Sequence, residues 1–380
     1  MDYKYGYWEA NGSKFKNKLQ AMFHATEHKT EVYYKYHNDV WANFDRTTLG
    51  KVSLDSLYKE RAHQLRDTYD YLIIYYSGGS DSHNILRTFI DNDIKIDEIC
   101  VKWHKPLIDG KLYDPDVTNT EATNYWSEWN YSVKPTLDWV ARTKPEILIT
   151  VKDFMEDSDK ISMESLFTYA AEMRSGSMNL NRLLTGVVSD NDMILSDKGI
   201  NVGHVYGIDK PLLTYNEETK LLSMFFTDFA VSCVCPGQDP NSAECFYWSA
   251  DMPQIPFQMA YAMGDYFIAF PQHKHFLFRS NGKHLVPAGD IADFQHKLAR
   301  KMCYTNWDNR FQTEKARRND KNDKYYFLFN DTEFETIKND YLGGMKSFTE
   351  KLNSSFLTDP DDYYAGTRVM STRSFPVRTL

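Results

Sequence analysis

Cysteine is scarce in this chain, and no long hydrophobic run occurs. The five cysteines, Cys100, Cys233, Cys235, Cys245 and Cys303, form an odd, widely spread set in 380 residues. That fits a reducing compartment better than a disulfide framework. No apolar stretch approaches the roughly 20 residues that span a bilayer. The opening Met1-Asp2-Tyr3-Lys4-Tyr5 is not an apolar signal segment. A soluble, cytoplasmic protein with no membrane partner is therefore expected. Positive charge is in deficit, with a formal net charge of −9, which argues against a generally basic coat for nucleic acid. Internal repeats and low-complexity segments are also lacking, which excludes solenoids and arrays.

Aromatic residues, by contrast, are plentiful. The 26 Tyr and 23 Phe bring the aromatic share to 15%, enough to fill a core in which many tyrosine hydroxyls need partners. A surface that stacks nucleic-acid bases is the sharper alternative. Basic residues gather over 296–324, as Lys297, Arg300, Lys301, Arg310, Lys315, Arg317, Arg318, Lys321 and Lys324. Such a stretch is ordinarily a solvated charged loop, and alternatively a contact for phosphate or nucleic acid.

Hydrophobic spacing divides the chain into three stretches: an N-terminal α+β layer over 1–52, an α/β domain over 53–273, and a charged C-terminal extension over 274–380. Within the first, residues 15–27 carry helical spacing and 31–41 are β-prone throughout. Ser53 reads as a helix cap ahead of Leu54, Leu57, Ala62 and Leu65. Residues 71–76 form a continuous apolar run of strand length, the mark of a strand buried on both faces. A glycine turn, a helix through Ile85, Leu86 and Phe89, and a second strand over 96–103 follow. This is a βαβ unit, which implies a parallel sheet with a right-handed crossover. Further helices are expected over 119–131, 135–142, 164–174 and 179–184, and strands over 146–151 and 199–206. A hairpin is expected over 221–234 and a helix over 257–267.

The turn between the first strand and its helix is Ser77-Gly78-Gly79-Ser80-Asp81-Ser82. In open parallel sheets ligands bind at the carboxyl ends of the strands, where this loop sits. Glycine lets backbone approach a ligand, the helix start offers unpaired N–H groups to a phosphate, and the serines add hydroxyls. A carboxylate at Asp81 belongs among groups meant for an anion only if a Mg²⁺ ion bridges it to the phosphates. The loop lacks the Gly-Lys-Ser/Thr ending of the Walker motif and the wider glycine spacing of the dinucleotide fingerprint.

Ser77-Gly78-Gly79-x-Asp81-Ser82 resembles the SGGxDS loop of the N-type ATP pyrophosphatases, the PP-loop superfamily. The resemblance covers residues 55–215. It implies an adenine nucleotide alpha hydrolase-like fold, a doubly wound parallel sheet. It also implies cleavage of ATP between the α and β phosphates, transfer of AMP to a substrate oxygen, and release of pyrophosphate. Ser77, Gly78, Gly79, Ser80, Asp81 and Ser82 would bind ATP, with Mg²⁺ as the metal. Lys102, at the end of the second strand, would lie near the adenine edge. Gly207-Ile208-Asp209-Lys210 is similar in position to the Gly-x-Gly-x-Asp-Glu loop of asparagine synthetases, so Asp209 would join Asp81 on Mg²⁺. Lys210 replaces the glutamate and Val205 the first glycine, a departure from the asparagine reaction. Lys210 would instead offset charge on the leaving pyrophosphate, as a catalytic partner of Asp81. Asp2 stands where glutamine-dependent members carry a cysteine nucleophile. The runs Phe246-Tyr247-Trp248-Ser249 and Asn306-Trp307-Asp308 are similar in texture to asparagine-synthetase-like PP-loop proteins of tailed phages, which would put the protein in a host cytoplasm. The acceptor substrate stays open. A member acting on a tRNA or DNA base, through residues 296–324, and a non-catalytic ATP-binding protein are the alternatives.

Weaker constellations remain. Cys233, Cys235 and Cys245 read as buried thiols or as metal ligands. His83 reads as a phosphate contact or a solvated first-turn residue. Arg174 reads as a nucleotide contact or a helix-end cation, and Asp153 is a further site candidate.

Overall fold

The computed structural model describes residues 4–16, 18–103, 129–153, 194–195, 197–228, 242–280, 282–307 and 370–380. The expected helices over 164–174 and 179–184, most of that over 119–131, and Arg174, Cys233, Cys235 and residues 308–324 lie outside them.

The N-terminal layer is a three-stranded antiparallel sheet of β1 (Tyr7–Ala10), β2 (Ser13–Phe15) and β3 (Val32–Lys35), with β1 central. Helix α1 (Lys18–His28) crosses it and buries Ala21, Met22 and Ala25. The β-prone stretch over 31–41 does not continue as one strand. His37 turns into the left-handed region at φ 43°, and Asn38 Oδ1 accepts from the Tyr36 amide at 3.2 Å. The short helix α2 (Asn38–Asn43) follows and buries Trp41.

Ser53 caps α3 (Leu54–Thr68) as expected, its hydroxyl accepting from the Ser56 amide at 3.1 Å. The apolar run becomes β4 (Tyr71–Tyr75), followed by α4 (Ser80–Asp91), β5 (Glu98–Trp103), α5 (Lys134–Thr143) and β6 (Leu148–Asp153). Then come β7 (Val202–Tyr206), the hairpin β8 (Leu212–Asn216) and β9 (Leu221–Phe225), and the short β10 (Ala243–Cys245). Strands β10-β7-β4-β5-β6 form one five-stranded, all-parallel sheet flanked by helices. On one face Leu72, Ile74, Ile99, Val101 and Val205 join the main core with α3 and α4. On the other, Ile73, Cys100 and Val202 form a small second cluster with Tyr71 and Tyr75. Burial of both faces is why β4 reads as an unbroken apolar run.

The remaining described elements are α6 (Gln254–Ala269), β11 (Phe278–Arg279), α7 (Ala288–Cys303) and β12 (Phe375–Thr379). A second sheet runs β11-β8-β9-β12. The hairpin expected over 221–234 therefore sits one strand earlier, at residues 212–225. Asn216 closes its turn by accepting from the amides of Glu218 and Thr219, each at 3.0 Å, and Lys220 adopts φ 57°. No glycine marks that turn, so sequence spacing missed it. The other neighbour of β9 is β12, nearly at the end of the chain. Buried Gln295 of α7 fastens this sheet by bonding both the amide and the carbonyl of Leu213, at 2.7 and 3.0 Å. No helix among the described residues is long and apolar enough to cross a membrane.

Candidate active site

Within the parallel sheet, the chain runs from β4 outward to β6, then returns to β7 on the opposite side of β4. The strand order thus reverses between β4 and β7, and open α/β sheets bind ligands in the crevice at such a switch point. The two loops that flank it at the strands' carboxyl ends are 77–82, after β4, and 207–211, after β7.

Gly78 holds φ at 77°, a left-handed conformation that L side chains rarely adopt. Gly79 is the N-cap of α4 and supplies no side-chain acceptor, so the first turn presents its amides without the usual cap. The serines organise the loop. Ser82 Oγ donates to the Gly79 carbonyl at 3.1 Å and accepts from the Ser77 amide at 3.1 Å, and Ser132 Oγ donates to the Gly78 carbonyl at 2.6 Å. Ser80 differs from them, because its hydroxyl is buried and has no hydrogen-bond partner among the described residues. An orphaned buried hydroxyl costs about 1–3 kcal/mol unless something binds it.

The loop after β7 lies directly against this turn. A β-carbon at Gly207 would stand 3.0 Å from Asp81 Cβ and 3.1 Å from the Ser82 amide nitrogen. That approach brings Asp81, Asp209 and Lys210 together. Lys210, only 3% exposed, pairs with Asp81 Oδ1, and its Nζ lies 3.5 Å from Asp209 Oδ1. Asp209 Oδ1 also accepts from the Lys210 amide at 2.7 Å. Tyr304, at the end of α7, donates to the same Asp81 Oδ1 at 2.7 Å. Tyr247, just beyond β10, donates to the Asp81 carbonyl at 2.9 Å and accepts from Asn84 Nδ2 at 3.0 Å. Burial, reinforced by the Asp81 charge, raises both phenols well above their ordinary range, so each stays protonated as a donor. An acid in the first turn of a helix is worth about 0.3–1 kcal/mol through the dipole. That alone does not account for a buried lysine and a buried tyrosine converging on one carboxylate oxygen.

The other predicted residues fall less centrally. Lys102, on β5, lies over the Tyr75 ring at 4.9 Å, and that ring stacks on Tyr206 at 4.5 Å. His83 is held neutral at ordinary pH in this arrangement. Burial, then the Arg87 charge, lower its pKa to about 4, and it packs edge-on against Trp307. Cys245 is buried in β10. Cys303 beside the cluster is pushed up to about 12 by burial, so it is no thiolate at neutral pH. Sequence reading missed Tyr304 and the role of Tyr247. The Phe246-Tyr247-Trp248 run was visible as texture, but only the fold turns its tyrosine toward Asp81.

The donor set can be tested against a hard divalent cation, which takes oxygen ligands. Asp81 Oδ2 has no partner among the described residues, Asp209 supplies a second carboxylate, and the orphaned Ser80 hydroxyl adds a neutral oxygen. In kind these are the oxygen donors such an ion takes, with the Lys210 ammonium already paired to Asp81 Oδ1. No protein-family model matches the chain, and no curated protein matches it.

Proposed function

We propose that this chain binds ATP at the β4–α4 loop and splits it between the α and β phosphates, placing AMP on an oxygen of an acceptor. The observation that carries the reading is the meeting of Asp81, Asp209 and Lys210 from two loops at the strand-order reversal. An adenine nucleotide alpha hydrolase-like arrangement accords with the parallel sheet and its order.

In this reading the amides of the first α4 turn and the hydroxyls of Ser77, Ser80 and Ser82 hold the pyrophosphate portion of ATP. The acceptor oxygen forms its bond to the α-phosphorus as the bond from that phosphorus to the bridging oxygen breaks, and the electron pair leaves with pyrophosphate. Lys210 offsets the charge that builds on that leaving group, and Tyr304 holds the Asp81 carboxylate in place. Asp81 and Asp209 would hold Mg²⁺, which when bound neutralises phosphate charge. Lys102, over the Tyr75 ring, would lie near the adenine edge.

The test is product analysis with ATP labelled in the α-phosphate, in the presence of Mg²⁺. Label should appear in an AMP adduct of the acceptor, or in AMP once that adduct is displaced, with an equal amount of pyrophosphate, and Asp81→Asn should lower the rate by at least about 100-fold. Label appearing in ADP, or an undiminished rate in that variant, would overturn the reading.

A further inference from the structure

We infer that α1 carries a transition-metal site made by His24, Glu27 and His28. The three residues recur at i, i+3 and i+4, so they share one face of the helix. One donor atom from each lies within 4.8 Å of the other two. Donors bound to a single zinc ion stand roughly 3.3 Å apart at the usual bond lengths. Glu27 and His28 are exposed, and the Glu27 side chain can rotate to close the remaining distance.

Two further observations set this turn apart from an ordinary polar helix face. His28 Nδ1 lies 2.9 Å from the carbonyl oxygen of His24. A carbonyl only accepts, so Nδ1 carries the proton and Nε2 keeps its lone pair. Metal-bound imidazoles are typically held this way, with the second ring nitrogen tied to a backbone carbonyl or carboxylate. His24 Nε2, in turn, is buried and has no hydrogen-bond partner among the described residues, an arrangement that costs free energy until a ligand takes the nitrogen. The two imidazole rings lie with centroids 4.1 Å apart, and Phe15 of β2 backs His24 at 5.1 Å.

The donor chemistry selects the ion. Two imidazole nitrogens and one carboxylate suit Zn²⁺, Co²⁺, Ni²⁺ or Cu²⁺, whereas Mg²⁺ and Ca²⁺ take oxygen. The all-oxygen group at Asp81 and Asp209 is thus chemically distinct. Three protein ligands leave a coordination position for water or for a donor from another molecule.

The experiment titrates the full-length protein, stripped with a chelator, with Zn²⁺ against a chromophoric competitor. The wild type should bind one more equivalent than the His24→Ala/His28→Ala variant, and excess Mg²⁺ should not displace it. Because His28 is exposed, His28→Ala alone keeps the fold, as circular dichroism will verify, and should lose the same equivalent. Co²⁺ at this site should give visible d–d absorption without the charge-transfer bands that thiolate ligands produce. Equal stoichiometry and affinity in wild type and His28→Ala would overturn the proposal, and so would thiolate bands that account for all bound cobalt.

Discussion

At the scale of single residues, the cluster around Asp81 is defined by which oxygen each partner takes. Lys210 and Tyr304 both act on Oδ1, and a hydrogen bond to a charged acceptor is worth about 1.5–3 kcal/mol. Asp81 is a quarter exposed, so Tyr304→Phe should cost stability near the lower end of that range in urea unfolding. Turnover should fall less than in Asp81→Asn, because the carboxylate itself remains. His83 makes a separate prediction about pH. Its folded pKa is about 4 against an ordinary 6.5. Between those values the unfolded chain binds the extra proton, so stability rises with pH across the window and is lost as pH falls from 6.5 towards 4. Linkage sets the loss at about 3 kcal/mol. His83→Gln should flatten that part of the stability profile. Glu244 acts lower. Burial favours its protonated form, but the charges of Arg61 and Lys4, with hydrogen bonds from Lys4 and Tyr69, outweigh burial and hold the carboxylate below 4.5. Its contribution is present above 4.5 and lost as pH falls through the folded value, so the acid limb should persist in both proteins.

At the scale of elements, the site depends on how closely the end of β7 approaches the start of α4. Gly207 permits that contact, and the atoms a β-carbon would meet at 3.0–3.2 Å belong to Asp81 and the Ser82 backbone. Gly207→Ala should push the two loops apart, cost about 1–3 kcal/mol, and depress turnover more than stability. Gly203 in the same strand provides the comparison. A β-carbon there would stand 2.5 Å from the Tyr69 ring, away from Asp81, so Gly203→Ala should lower the melting temperature while the residual folded protein keeps its turnover per molecule. Legibility also followed the elements. Strand β4 and the capped α3 were readable because burial on two faces and a serine N-cap leave local marks. Strand β10, three residues long, and the glycine-free turn at Asn216 leave almost none.

At the scale of the whole molecule, distant segments are joined by buried polar links. Lys18 at the start of α1 pairs with Asp228 just beyond β9 at 2.8 Å, and both side chains are fully buried. The Asp228 amide in turn donates to the Met370 carbonyl. Removing one member breaks a buried ion pair, so Lys18→Met should destabilise the protein by about 3–5 kcal/mol in denaturant unfolding. Glu244 of β10 accepts from Lys4 and from Tyr69, and pairs with Arg61 of α3, which ties the N-terminal layer to the parallel sheet. Tyr36 of that layer donates to the Trp248 carbonyl. The abundant tyrosines are thus largely core residues with satisfied hydroxyls rather than a stacking surface among the described residues.

By itself the sequence determined that a buried strand runs into Ser77-Gly78-Gly79-Ser80-Asp81-Ser82 and then into a helix. Period-two and period-3.6 burial, glycine at a left-handed turn and a serine cap are local physics, written in consecutive residues. Asp209 and Lys210 were marked only through the resemblance of 207–210 to the Gly-x-Gly-x-Asp-Glu loop of asparagine synthetases. The tertiary structure decided what the sequence could not encode locally: that β7 returns beside β4, that Lys210 is buried against Asp81, and that Tyr304, 223 residues away along the chain, donates to the same oxygen. These are consequences of strand order and helix packing, where contact free energy depends on which segments become neighbours and not on any short pattern within them.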